Sequence, residues 1–199
     1  MNVGVLGGTF DPIHVGHLVI AEEARAELGL SEVLFVPAGN PWLKVDRAVT
    51  PAAMRVEMVR LAIGSNERFR LCTLEVEGSG PSYTVDTIAS LKKELGEHSF
   101  FFILGQDSFN DLPLWRNPAR LVQLCRLVVV PRLGLSLPES NSGSFAIPGL
   151  ADRVIELPTP VIGVSSSEVR QRVARGLPVR YLVADGVADY IAEQGLYRY

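Results

Sequence analysis

The stretch that decides the fold stands at the start of the chain: Val3-Gly4-Val5-Leu6-Gly7-Gly8-Thr9-Phe10-Asp11-Pro12-Ile13-His14-Val15-Gly16-His17. Its first four residues are typical of a buried strand, and the adjacent glycines that follow are typical of a tight loop. Residues 17–28 then show the apolar spacing of a helix, which Gly29 ends. A strand, a glycine-rich turn and a helix in this order open a βαβ unit, so we predict a parallel sheet.

The alternation of short apolar runs and helical segments continues along the chain. Further strands are predicted at 33–36, 70–74, 100–104, 127–130 and 153–157, and further helices at 51–63 (with Thr50 as N-cap), 83–95, 118–124, 165–175 and 185–194. The pattern predicts a single α/β domain over 1–199, with a doubly wound, Rossmann-like and mostly parallel sheet of five to six strands and helices on both faces. Strands one and four are expected to be neighbours where the strand order reverses, which is where such sheets bind ligands.

Composition excludes several classes of protein. The formal net charge is −3 over 199 residues, so the basic excess expected of a nucleic-acid-binding protein is missing. No run approaches the roughly 18 consecutive apolar residues that span a bilayer, and no basic segment precedes the first apolar run. We therefore expect a cytoplasmic protein with no nucleic-acid or membrane partner, and we expect Cys72 and Cys125 to be reduced core residues.

Two of the three histidines, His14 and His17, lie between the glycine-rich turn and the helix start. Backbone N–H groups of such a turn and a helix N-terminus attract a phosphate, and imidazoles can donate hydrogen bonds to an anion that gains charge in a transition state. The spacing does not match the dinucleotide fingerprint, the P-loop or the zinc-protease motif. A two-histidine metal site and a solvated helix start remain as alternatives.

A second anion site is predicted near the C-terminus, where Ser165, Ser166 and Ser167 precede Arg170 by one helical turn. Residues 165–180 hold four arginines and one acidic residue, although the whole chain is acidic. Serine hydroxyls, the free N–H groups of a first turn and a guanidinium can together hold a phosphate; the alternative is a serine cap on a solvated helix. Two such sites in one crevice imply a ligand with several phosphates, or two phosphorylated ligands that are brought together. Lys44 in the loop after the second strand could reach the same crevice, and the alternative is a solvated loop lysine.

The opening motif and the Ser-Ser-x-x-x-Arg helix start resemble the nucleotidylyltransferase superfamily. Within it, the chain is similar over nearly its whole length to the nicotinate-nucleotide adenylyltransferases. The supporting segments are Ser82-Tyr83-Thr84-Val85-Asp86-Thr87, Ile103-Leu104-Gly105-Gln106-Asp107-Ser108 with Trp115, Val129-Val130-Pro131-Arg132, and the ending from Tyr190-Ile191 to Leu196-Tyr197. The chain departs from the family at Pro41-Trp42-Leu43-Lys44, where the family often has Pro-Pro-His-Lys, and at Ser167, where it often has threonine.

The resemblance implies adenylyl transfer from ATP to nicotinate mononucleotide, which gives deamido-NAD and pyrophosphate. Mg2+ would be carried mainly by the ATP phosphates, and no residue of the chain is assigned as a metal ligand. The implied catalytic residues are His14, His17 and Lys44. The implied ATP-binding residues are Gly8, Thr9, Phe10, His17, Gly105, Asp107, Arg132, Ser165, Ser166 and Arg170. The implied acceptor-binding residues are Thr9, Lys44, Tyr83, Thr84, Trp115 and Arg116.

Other functions stay open at this point. A sister adenylyltransferase would act on nicotinamide mononucleotide or phosphopantetheine, and a catalytically silent sensor would bind ATP without forming product. The expected partners are ATP and nicotinate mononucleotide, with a homo-oligomer among the alternatives for the quaternary state.

Overall fold

The computed structural model describes residues 1–41, 49–131, 147–160 and 162–198. Six strands form one sheet in the order β3-β2-β1-β4-β5-β6, and each strand is parallel to its neighbours. The strands are β1 (Asn2–Gly8), β2 (Glu32–Pro37), β3 (Phe69–Leu71), β4 (Ser99–Gly105), β5 (Arg126–Val130) and β6 (Val154–Glu156). The order reverses between β1 and β4, as predicted, because β2 and β3 extend to one side and β5 and β6 to the other.

Helices connect these strands. They are α1 (Val15–Glu27), α2 (Ala52–Ile63), α3 (Leu74–Glu77), α4 (Thr84–Leu95), α5 (Gln106–Asn110), α6 (Pro118–Leu124), α7 (Ser166–Ala174) and α8 (Asp185–Glu193). Single 3-10 turns cover Leu112–Leu114 and Ala151–Arg153.

Three local predictions are corrected by the structure. The first helix begins at Val15 rather than His17, with His14 as its N-cap. The predicted strand 70–74 ends at Leu71 and is followed by α3, which was not predicted. The prediction of Thr50 as N-cap is wrong: Pro51 takes that place with ψ near 140°, and the Thr50 carbonyl instead accepts a hydrogen bond from the Arg55 side chain.

The core has two layers, one on each face of the sheet. On one face, α1, α2, α7 and α8 pack against alternate strand residues, among them Phe35 and Ile103. On the other face, α4 and α6 pack against the intervening residues, among them Val5 and Phe102. Helices on both faces and a parallel sheet confirm the doubly wound, Rossmann-like prediction.

The two cysteines are free thiols. Cys125 is buried, and the half-buried Cys72 packs against the same core layer. Among the helices that the structure describes, none has the length and apolar character needed to cross a membrane.

Candidate active site

A cavity of about 590 Å3 opens at the carboxyl ends of β1 and β4. It therefore lies at the reversal of strand order, where the topology predicts a ligand. The predicted site residues that line it are Gly8, Thr9, Phe10, His14, His17, Tyr83, Thr84, Gly105, Asp107, Trp115, Arg116 and Ser166. Ser165 and Arg170 adjoin the cavity through α7 without being part of its lining. The predictions for Lys44 and Arg132 fall outside the described residues.

The two histidines are held against each other at the start of α1. Their ring centroids lie 3.8 Å apart at an angle of 31°, and the ring of Phe10 meets His17 edge-on at 5.0 Å. The backbone N–H of His14 donates to Nδ1 of His17 at 3.2 Å. Since Nδ1 accepts, the proton of the neutral His17 ring is on Nε2. The loop therefore fixes His17 in the tautomer whose Nε2 is a hydrogen-bond donor.

His14 is the more buried of the pair, with 9% of its surface exposed. Burial lowers the pKa of His14 to about 4, so its ring is neutral at pH 7. Its environment depends on Gly16, because a Cβ at that position would lie 3.0 Å from ring atoms of His14. The glycine between the two histidines thus leaves the space that the His14 ring occupies.

The C-terminal serine–arginine motif meets the first loop directly. The Ser166 hydroxyl donates to the Pro12 carbonyl at 2.9 Å, and Nη1 of Arg170 donates to the Asp11 carbonyl at 2.5 Å. The Ser165 hydroxyl oxygen accepts from the backbone N–H of Glu168 and so caps α7. The structure therefore brings together two motifs that are separated by about 150 residues in sequence.

The far side of the cavity is formed by α4 and the segment before α6. Trp115 is half-buried, and its ring meets that of Phe102 edge-on at 6.0 Å. Its indole N–H has no hydrogen-bond partner among the described residues. The Arg116 guanidinium lies 4.6 Å above the Tyr83 ring, and its Nη1 is 3.4 Å from Oδ2 of Asp86. Tyr83, Thr84, Trp115 and Arg116, which were singled out from separate segments, therefore share one wall.

Other residues at the site were not identified from the sequence. Glu75 lines the cavity and accepts a hydrogen bond from Oγ1 of Thr87 at 2.6 Å; burial raises the pKa of the Glu75 carboxyl. The Tyr197 hydroxyl donates to Oδ1 of the buried Asp11 at 2.7 Å. Glu75 lies on the unpredicted α3, and the contact of Tyr197 spans 186 positions, so the sequence carries no local signal for either.

The residues present do not form a conventional protein-built metal centre. Across residues 1–41, 49–131, 147–160 and 162–198, no group of three or more His, Cys, Asp or Glu side chains is arranged to hold a metal ion. Asp107 is a cavity-lining carboxylate at the end of β4. Mg2+ usually binds one or two carboxylates together with substrate phosphates, so this donor set suits an ion that arrives with a polyphosphate.

The cavity at the reversal of strand order, the glycine-rich first loop and the facing histidines are features expected of an α/β protein that binds a phosphorylated ligand. Residues 5–172 match the family model described as cytidylyltransferase-like.

Relatives that match this chain over nearly their whole length identify its family within the cytidylyltransferase-like group. The chain is 46% identical over 198 residues to a "probable nicotinate-nucleotide adenylyltransferase" of Dehalococcoides mccartyi, covering 99% of this chain and 97% of the relative. It is 43% identical over 197 residues to one of Thermomicrobium roseum, covering 99% and 92%. The chain therefore belongs to the nicotinate-nucleotide adenylyltransferase family, within the cytidylyltransferase-like group.

A solved structure shares the fold. It is that of Plasmodium falciparum nicotinic acid mononucleotide adenylyltransferase complexed with NaAD, with a TM-score of 0.80 and 22% sequence identity. The match covers 98% of this chain and 97% of that one.

Proposed function

We propose that the chain transfers the adenylyl group of ATP to nicotinate mononucleotide, forming deamido-NAD and pyrophosphate in NAD biosynthesis. The observation that carries this proposal is the single cavity in which His14, His17 and Ser166 adjoin a wall containing Thr84 and Trp115. One side has the features of a polyphosphate site, and the other offers an aromatic face and hydrogen-bond donors.

The reaction needs no nucleophile from the protein. An oxygen of the mononucleotide phosphate attacks the α-phosphorus of ATP, a new P–O bond forms, and the bond to the bridging oxygen of the β-phosphate breaks. The attacking phosphate is already ionised near neutral pH. Catalysis then consists of aligning the two nucleotides and stabilising the negative charge that develops.

His17 donates from Nε2 to the oxygens of the α-phosphate as they gain charge. This role is assigned by similarity to the family, and it is supported by the hydrogen bond from the His14 backbone N–H to Nδ1 of His17, which leaves the ring proton on Nε2. His14 assists as a neutral ring packed against His17, since its pKa of about 4 keeps it uncharged at pH 7. Lys44 bridges phosphates by similarity to the family.

The departing β- and γ-phosphates are held at the start of α7. Its first-turn N–H groups and the Ser166 hydroxyl lie next to the loop that contains Pro12. By similarity to the family, Ser165 and Arg170 also hold these phosphates. Gly8, Thr9 and Phe10, in the loop after β1, bind ATP in the same proposal. Mg2+ enters as part of the ATP substrate, where it neutralises phosphate charge.

The nicotinate ring stacks on Trp115. By similarity to the family, its carboxylate is received by Thr84 and by the backbone near Trp115 and Arg116, where N–H and hydroxyl donors favour an acid over an amide that presents its own donors. Tyr83 is a further acceptor-binding residue of this proposal. Gly105, Asp107 and Arg132 are assigned by similarity to the ATP nucleotide, with Asp107 near the ribose or the metal.

The remaining assignments concern the whole molecule. We infer that residues 1–199 act as one catalytic domain, because the six strands in the described part of the chain belong to one sheet. We further propose that the protein acts in the cytoplasm. ATP and nicotinate mononucleotide are the partners in this proposal, with neither nucleic acid nor a membrane involved.

An acceptor panel tests the function. Purified protein is given ATP and Mg2+ with nicotinate mononucleotide, nicotinamide mononucleotide or phosphopantetheine, and pyrophosphate release is measured. We expect the highest kcat/KM with nicotinate mononucleotide. A preference for another acceptor would assign a sister activity, whereas ATP binding with no product from any acceptor would indicate a sensor.

A further inference from the structure

Arg55 is a charged side chain in the interior of the protein. It lies on α2, only 1% of its surface is exposed, and it is not part of the cavity lining. Its guanidinium donates to three backbone carbonyls, those of Thr50 at 2.8 Å, Thr9 at 2.8 Å and Gly39 at 3.3 Å. A single buried side chain thus joins the residues before its own helix to two other segments, 16 and 46 positions away in sequence.

Two of these segments border the cavity. Thr9 lines it in the loop after β1, and Gly39 lies between the lining residues Ala38 and Pro41 after β2. Thr50 immediately precedes the start of α2. The guanidinium therefore links the loop of the proposed ATP side with the segment that follows β2.

The segment after β2 is in turn fixed to the proposed acceptor side. The backbone N–H groups of Gly39 and Asn40 both donate to Oγ of Ser82, at 3.0 and 3.2 Å. A Cβ at Gly39 would lie 1.9 Å from the Glu75 carbonyl oxygen, so the two backbones are in direct contact there. Ser82 itself lines the cavity and directly precedes Tyr83 and Thr84.

Arginine is suited to this place because its planar guanidinium carries five N–H donors in a fixed arrangement. A lysine has one nitrogen and cannot reach three carbonyls in different directions at once. Burial lowers the pKa of Arg55, and the nearby Asp11 opposes that shift, so the group remains protonated in the interior.

We propose that Arg55 is a positioning residue that sets the spacing between the ATP side and the acceptor side of the cavity. The path runs from Thr9 through the guanidinium to Gly39 and from there to Ser82. This inference rests on the proposed function, because it concerns how the two substrates are aligned. Misaligned substrates react more slowly in the chemical step. Loss of the Arg55 side chain should therefore lower kcat far more than it changes the KM of either substrate.

The test compares Arg55→Lys with Arg60→Lys. Arg60 is on the same helix but exposed, and its side chain pairs with Glu57 at 2.5 Å. Turnover is measured at varied ATP and at varied nicotinate mononucleotide. We expect Arg55→Lys to lower kcat roughly 10- to 100-fold with both KM values within about threefold of wild type, and Arg60→Lys to match wild type. An unchanged kcat, or a loss confined to KM, would overturn the proposal.

Ser82→Ala provides a second variant at the far end of the path, at a half-buried position where folding is less at risk. It removes the hydroxyl that accepts from the Gly39 and Asn40 N–H groups and donates to the Glu75 carboxylate, so it is expected to lower kcat several-fold. In Arg55→Lys/Ser82→Ala the losses should be less than multiplicative, because both act through Gly39. A folded Ser82→Ala variant with wild-type kcat contradicts the path.

Amide hydrogen exchange separates this proposal from the function on which it rests. In Arg55→Lys, exchange should increase both in residues 7–12 and in residues 36–41, and in Arg60→Lys in neither. Equal protection of these two segments in Arg55→Lys and in wild type would overturn the positioning role of Arg55. A wild-type protein that releases no pyrophosphate with nicotinate mononucleotide would refute the proposed function alone, and the exchange measurement would still decide the role of Arg55.

Discussion

Burial of His14 makes the stability of the protein depend on pH in a calculable way. Its pKa is about 4 in the folded protein, against 6.5 for an unburied histidine. The unfolded chain therefore binds a proton below pH 6.5 that the folded chain does not bind until the pH approaches 4. The free energy of unfolding must fall as the pH decreases through this window, since protonation favours the unfolded state.

The magnitude follows from the two pKa values. Between pH 7 and pH 5, the linkage relation gives a loss of about 2 kcal/mol from this one group. Urea unfolding is measured at both pH values for wild type and for His14→Gln. The difference between the two proteins separates the contribution of His14 from that of the carboxyl groups that titrate in the same range. The variant should lose about 2 kcal/mol less than wild type between the two pH values. Equal pH dependence in wild type and His14→Gln would refute the burial argument.

Three further perturbations test the site. His17→Ala removes the Nε2 donor and should lower kcat about 10²- to 10³-fold with the fold retained by circular dichroism; near-normal turnover would remove His17 from catalysis. Trp115→Ala should raise the KM for nicotinate mononucleotide roughly tenfold or more, with the KM for ATP little changed, and an unchanged acceptor KM would exclude the stacking role. Tyr197→Phe removes the hydroxyl that donates to the buried Asp11 carboxyl. It should lower the free energy of unfolding in urea by about 1–3 kcal/mol, and a variant as stable as wild type would show that this hydrogen bond makes no net contribution.

The sequence alone was sufficient to predict the elements whose characteristic residues lie within one short stretch of the chain. The apolar run of β1, its double glycine and the paired histidines lie within 15 residues, so the strand and the loop could be predicted, and the helix start was predicted two residues late. Alternating apolar strands and helices then implied the reversal point between β1 and β4, because a right-handed crossover leaves few other arrangements. That position in turn indicated where the cavity lies.

The contacts that complete the site depend on residues far apart in the chain. The Ser166 hydroxyl meets the Pro12 carbonyl across 154 positions, and only the folded sheet brings them together. Arg55 carries no sequence signal that distinguishes a buried guanidinium from a solvated one, since it stands on a helix that also carries the exposed Arg60. The Thr50 prediction was wrong because Pro51 has an extended ψ near 140° and so stands before the helix as its N-cap, while the Thr50 carbonyl accepts a hydrogen bond from the Arg55 side chain five residues further on.

The most direct test of the account is a crystal structure of the protein with a non-hydrolysable ATP analogue and Mg2+. We expect one triphosphate to span both motifs, with an α-phosphate oxygen within hydrogen-bond distance of Nε2 of His17 and the β- and γ-phosphates at Ser166 and the first turn of α7. A triphosphate bound with only one of the two motifs in contact, or outside the cavity between β1 and β4, would contradict it.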